Sequence, residues 1–363
     1  MPSATSRAVS FQYVHGALFD WIFFLAPFWA SLLYFAVVSL FPAHEVLIFV
    51  LSYIVLAETH FASTWTFYLD PQNRKEYATQ RRVYYYVPLV IMAACVLLSV
   101  SVSLKLTMLI GAVFSAVHVT RQSCGIVGLY RGKARQFDPA QKFWENWSLY
   151  FASGAFLGVG FQRFYLGPSG RLAAPLNALL QPFLPVFTVI PILLGVAALF
   201  AVFKVIGLEV ARAGRGEPLS ESKLLVFGYS LFLYSPYLFA TRMEHAVAMG
   251  VGVHYVQYLG IVWLLNKNKY RAVEKPSLDL RVLTWLSQHV WARLPYLLFY
   301  AGVMTYLRQG GFRWDNFEPT SWLYSIPIGL QVVHYYLDAY LWKFSNPFVR
   351  SSVLPYIRRI ESN

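Results

Sequence analysis

What most constrains this chain is a succession of apolar runs from Ala17 to Trp342. Several reach the roughly 20 residues that cross a bilayer as an α-helix. Hydrophobic residues make up 57% of the sequence and charged residues only 13%, whereas about a quarter of a soluble domain is charged. The expected fold is all-α, a polytopic membrane helix bundle, with residues 1–363 forming a single integral membrane domain. The first run is too long for a signal-peptide core and no small-residue cleavage site follows it, so it reads as a retained span.

Polar breaks between the runs define ten candidate spans. They cover Ala17–Phe41, Val46–Leu69, Val87–Leu104, Thr107–Tyr130, Phe143–Leu166, Phe183–Gly207, Leu224–Thr241, Ala246–Leu265, Arg293–Leu307 and Trp322–Trp342. Leu280–Trp291 has the pattern of an amphipathic helix lying on the membrane surface before the chain turns in. With the N-terminus inside, 21 of the 30 Lys and Arg residues fall in cytoplasmic segments, five in opposite segments and four within spans. The positive-inside rule gives this asymmetry. It predicts an N-in/C-in topology, cytoplasmic tails at 1–16 and 343–363, and a multi-pass cell-membrane protein of the bacterial inner-membrane kind.

On a soluble protein a net charge of +13 would suggest nucleic acid. Here the basic residues sit between apolar runs, so no nucleic-acid partner is expected and membrane lipids surround the chain. Cys95 and Cys124 lie inside apolar stretches and imply neither a disulfide framework nor a cysteine metal site. The loops are too short for a separate soluble domain, so function must reside in the bundle or on its rims.

Histidines point to where. His60, His118, His254 and His334 fall in the second, fourth, eighth and tenth spans, at depths of about 12–18 Å from the cytoplasmic helix ends. Polar residues accompany each of them: Glu58 and Thr64 beside His60, Arg121 and Gln122 beside His118, Gln257 after His254, and Asp338 four residues after His334. A lone membrane histidine is more often an interhelical hydrogen-bonding residue than a ligand. Four at one depth, each with a polar partner, favour a metal site, because imidazole is the commonest metal ligand and its outer nitrogen is commonly held by a carboxylate or carbonyl. Glu58 and Asp338 are expected to orient the rings, and Arg121 to be a buried charge paired with one of them; these three are the candidate catalytic residues. Tyr255, Tyr335 and Trp65 are candidates for lining a substrate cavity.

His15, five residues before Asp20, is a candidate fifth ligand at the cytoplasmic mouth. His245 lies nine residues from His254, about 13 Å along a helix and nearly half a revolution round it. It can join the same ion only if the helix breaks, which Gly250 and Gly252 would permit. His44 and His289 fall in rim segments. A nearly all-histidine site in apolar surroundings suits iron, copper or zinc. Non-heme iron, with dioxygen and a lipid-soluble substrate as partners, is the first expectation; copper or heme is the alternative. Two other functions fit the same residues. One is a heme-binding electron-transfer protein with His118 and His254 as axial ligands. The other is a proton-coupled transporter using Glu58, His118, Arg121 and His334 as a relay.

Three segments carry a family resemblance: His15-Gly-Ala-Leu-Phe-Asp20, His60-Phe61 and Val333-His334-Tyr-Tyr-Leu-Asp338. They resemble the spaced histidine and aspartate motifs of the Brp/Blh β-carotene dioxygenases, membrane proteins that cleave a carotenoid with a histidine-ligated non-heme iron. The resemblance covers short motifs near both ends; the first is one residue longer here, and a paired His-x-x-x-His is missing. It implies iron, dioxygen and a carotenoid-like substrate. The histidine clusters of membrane fatty-acid desaturases do not occur.

Overall fold

The computed structural model describes residues 11–166, 178–271, 277–309, 312–313, 318–319 and 322–357. The outermost residues of both expected tails lie outside that set. The described chain is helical apart from one short antiparallel pairing, Phe312–Arg313 (β1) with Glu318–Pro319 (β2). Helices α1 (Ala17–Phe24), α2 (Ala26–Leu40), α3 (Pro42–Leu69), α4 (Pro71–Thr79), α5 (Arg82–Ser101) and α6 (Leu104–Lys133) come first. The chain continues through α7 (Pro139–Phe161), α8 (Ala178–Gly214), α9 (Glu221–Leu231), α10 (Pro236–Phe239) and α11 (Met243–Lys269). It ends with α12 (Leu278–Gln288), α13 (Val290–Gln309), α14 (Ser325–Leu341) and α15 (Pro347–Ile357).

Among the described residues five helices are long and apolar enough to cross a membrane: α3, α5, α6, α8 and α11. Counting α1 with α2 as one bent span makes six. The expected runs at Phe143–Leu166, Arg293–Leu307 and Trp322–Trp342 are helical as α7, α13 and α14 but are not among these five. The amphipathic stretch before the ninth run forms its own helix, α12.

Two runs expected to be continuous are broken. Ala17–Phe41 bends by 53° between α1 and α2. Pro27 has no N–H to bond the carbonyl of Phe23, and the chain crosses the gap with a wide turn in which the Leu25 amide donates to the Asp20 carbonyl at 2.8 Å. Leu224–Thr241 divides into α9 and the single-turn α10, with Pro236 opening the second piece. Carbonyls left over there are met by a side chain: the Arg163 guanidinium donates to Tyr237 O at 2.9 Å and Ala240 O at 3.0 Å. Gly250 of α11 lies against the same break, where a Cβ would stand 2.9 Å from the Leu233 carbonyl oxygen.

The chain forms two compact units, each assembled from two separated stretches. The first is Met1–Trp29 with Val119–Val251, the second Ala30–His118 with Gly252–Asn363. In the first, α7 packs along α8, and Gly158 meets the Pro191 ring where any side chain would collide. At their ends sits a buried ionic network. Lys223 donates to Gln136 Oε1 at 2.6 Å and pairs with Glu145 at 3.0 Å and with Glu209, while Arg131 pairs with Glu145 at 2.6 Å. In the second unit α14 packs on α5, and α13 runs against α3. That second unit holds all four of the deep histidines.

Candidate metal centre

His60 follows a π-helical stretch, Tyr53–Glu58, within α3. Such wide turns recur at functional sites because they displace the residues that follow from the ordinary helical register. Here the loosened carbonyls are met by Thr59, whose hydroxyl donates to Val55 O and Leu56 O. Helices α6, α11 and α14 present His118, His254 and His334. All four rings are buried: relative exposures are 0% for His60, 8% for His118, 1% for His254 and 0% for His334. One potential ligand atom from each lies within 4.8 Å of all the others. His60 Nε2 is 2.8 Å from His334 Nε2, and His118 Nε2 is 3.0 Å from His254 Nε2.

Hydrogen bonding fixes the tautomer of one ring. Tyr258 donates its hydroxyl proton to Asp338 Oδ1 at 2.9 Å. Its contact with Thr64 Oγ1, at 2.8 Å, must therefore use the threonine proton. Thr64 then has only a lone pair for His334 Nδ1, 2.7 Å away, so Nδ1 carries the hydrogen. His334 Nε2 is left with its lone pair directed at His60 Nε2. Two lone pairs at that distance repel unless a proton or a cation lies between them. A metal about 2.0–2.1 Å from each imidazole nitrogen sets neighbouring ligand nitrogens about 3 Å apart, so the donor set and its spacing fit one ion. The Asp338–Tyr258–Thr64 chain is the kind of outer support that orients a metal-binding imidazole.

Asp338 also approaches directly. Its Oδ2 is 3.7 Å from His334 Nε2 and 3.8 Å from His118 Nε2, beyond hydrogen-bond length. The Tyr255 ring packs 5.0 Å from that of His60 and the Tyr335 ring 4.8 Å from that of His118. Trp65, the third expected lining residue, packs on Tyr68.

Other expected site residues lie elsewhere. Arg121 is exposed, so it is not the buried partner expected for Glu58 or Asp338. Three residues of helix turn it about 60° from His118, enough to carry a long cationic chain off the inner face. Glu58 pairs instead with Arg308, whose Nε donates to Glu58 Oε1 at 2.7 Å with both side chains 1% exposed. Arg308 lies just past the apolar run that ends at Leu307, but α13 continues to Gln309. Its guanidinium stacks over the Tyr53 and Tyr324 rings, 5.0 Å from each centroid. α11 is unbroken, so His245 stays well over two helical turns from His254; among the described residues neither it nor His15 is a member of the four-histidine group. The Asp20 carboxylate of the first motif is taken up locally by the amides of Val14, His15 and Gly16 and the hydroxyl of Tyr130.

Thr64 and Tyr258 had a sequence signal. Three of the four histidines are followed four residues later by a member of the supporting chain, as His60–Thr64, His254–Tyr258 and His334–Asp338, and i, i+4 residues share a helix face. What the sequence did not give is that Thr64 serves His334 rather than the histidine of its own helix.

Fold and site together define an all-helical protein with several candidate membrane spans and a buried tetra-histidine cluster. No family model matches the chain, and no curated protein or solved structure matches it either.

Proposed function

We propose that the protein is a multi-pass membrane metalloenzyme in which His60, His118, His254 and His334 hold one transition-metal ion, iron in the first instance. It acts as an oxygenase on a lipid-soluble substrate such as a carotenoid or another lipid. The observation that carries this reading is the convergence of four buried imidazole nitrogens, one of them held by hydrogen bonds with its lone pair facing the others. Iron among neutral imidazoles would supply redox chemistry with dioxygen. The chain's own residues hold and orient the ligands through Thr64, Tyr258 and Asp338. Phe61, Tyr255 and Tyr335, all buried, keep water from the centre.

A bare ion is favoured over heme, because ligands on opposite faces of a porphyrin must leave its plane clear. Here all four ring nitrogens lie within 4.8 Å of one another, and His118 Nε2 and His254 Nε2 are 3.0 Å apart, which leaves no such gap between them. The short-motif resemblance to the carotene dioxygenases supports iron, through the His60 and His334 segments. We further propose ten spans with both termini in the cytoplasm, as the distribution of basic residues favours.

Elemental analysis of the detergent-purified protein tests the metal. Stoichiometric iron is expected, and His118→Ala or His334→Ala should abolish it. Wild-type protein with no stoichiometric transition metal would overturn the proposal.

A further inference from the structure

Arg293 is a buried cation on α13, 7% exposed, and its Nη2 is fully enclosed without a hydrogen-bond partner. Among the described residues no carboxylate lies within ion-pair range of it. The Tyr296 hydroxyl, one turn further along the helix, is engaged on the Ala62 carbonyl at 3.1 Å. An uncompensated buried ion is strongly destabilising. Location makes it worse, because Arg293 falls in the first turn of a 20-residue helix with no acidic residue there. The helix dipole is positive at that end and disfavours a second positive charge. Two independent features therefore call for an anion at one point.

The surroundings say what carries the anion. The preceding helix α12 buries Leu283 and Leu286 on one side and exposes Leu278, Val282 and Trp285 on the other, and Trp291 at the start of α13 is 84% exposed. An amphipathic helix whose outer face mixes these apolar side chains with the exposed Arg281, placed before a candidate span, suits the headgroup–acyl boundary of a bilayer. Behind it, the Tyr296 hydroxyl touches the backbone of Ala62, two residues past the ligand His60, and only about 4.5 Å of helix rise separates Arg293 from Tyr296.

We propose that Arg293 anchors the oxyanion headgroup, carboxylate or phosphate, of a membrane amphiphile that enters between α12 and α13. Resting on the function proposed above, this names the substrate class as an anionic lipid rather than a pure hydrocarbon. The guanidinium fixes the head by charge-assisted hydrogen bonds, and the acyl chain lies along α3 towards the histidines.

Binding of radiolabelled palmitate to the full-length protein in a neutral detergent at pH 8 tests it. Wild type should bind palmitate at least about tenfold more tightly than palmitate methyl ester, the range of a charge-assisted bond. Arg293→Gln should remove that preference and Arg293→Lys should retain most of it. Competition with lysophosphatidic acid then separates the sources: displacement assigns a phosphate head, and its absence a carboxylate. Equal binding of acid and ester by wild type, or an undiminished preference in Arg293→Gln, would overturn the anchor. The preference does not depend on the ion. Loss of it in metal-replete protein sinks the anchor alone, whereas a metal-free wild type that keeps it sinks the metalloenzyme reading alone.

Discussion

At the scale of single residues, the centre depends on which hydrogen each oxygen donates. Tyr258 gives its proton to Asp338, Thr64 gives its own to Tyr258, and His334 must give Nδ1–H to Thr64. Thr64→Val keeps the shape and removes the link. It should weaken metal binding about 10- to 100-fold, the usual effect of losing an outer support, with the helical content unchanged; chelator competition measures it. A second residue controls acid stability. Asp70 caps α4 through the Gln72 amide at 2.8 Å and also receives Lys269 at 2.6 Å and Tyr270 at 2.5 Å. Burial alone would raise this carboxyl, but the Lys269 ammonium and the hydrogen bonds from Lys269, Tyr270 and Gln72 outweigh it and hold it below the usual carboxylate range. Since the folded group ionises below its unfolded value of about 4, its stabilisation is present above that pH and is lost as the pH falls through the depressed value. Asp70→Asn should therefore melt lower than wild type at neutral pH and converge with it in acid. Parallel melting curves at every pH would contradict this.

Between elements, the decisive contacts are polar. In the first unit Lys223, at the start of α9, reaches Glu145 of α7, Glu209 of α8 and Gln136 beyond the end of α6. Lys223 is 0% exposed and its two carboxylate partners are 1% and 5% exposed. Lys223→Met would leave both carboxylates buried without their shared cation, and breaking such a group costs about 3–5 kcal/mol. Detergent-denaturation midpoints should drop accordingly, and a loss under about 1 kcal/mol would show that water already serves the network. The helix break between α9 and α10 is likewise held by polar bonds, from Arg163 to two carbonyls. Apolar periodicity could reveal none of this, since Leu224–Thr241 is apolar throughout and only Pro236 hints at the interruption. In contrast, the amphipathic stretch after α11 was legible as a separate helix, because its polar residues interrupt the apolar run on one side only.

For the molecule as a whole, orientation is the property most open to test. Basic residues between runs favour both termini in the cytoplasm. Reporter fusions that are active only inside the cell should light up at residue 363 and at the α6–α7 loop and stay dark at the loop between α5 and α6. Activity at that last loop would invert the topology. Part of the charge asymmetry has a second use, however: Lys223 and Arg212, counted as cytoplasmic loop charges, are 0% and 4% exposed. The tally counts them by position alone, while the fold engages Lys223 in a buried ionic network and pairs Arg212 with Glu217.

By itself the sequence determined the helical class, the apolar runs and the four histidines worth attention, because hydrophobic run length and the rarity of buried imidazole are local properties of the chain. Tertiary structure decided the partners. That Thr64 serves His334, that Arg308 rather than Arg121 meets Glu58, and that His15 and His245 stand outside the four-histidine group all depend on which helices pack together and on how each is rotated about its axis. Those are set by long-range packing, in which a turn of 60° moves a side chain from an inner face to an outer one without altering any local pattern.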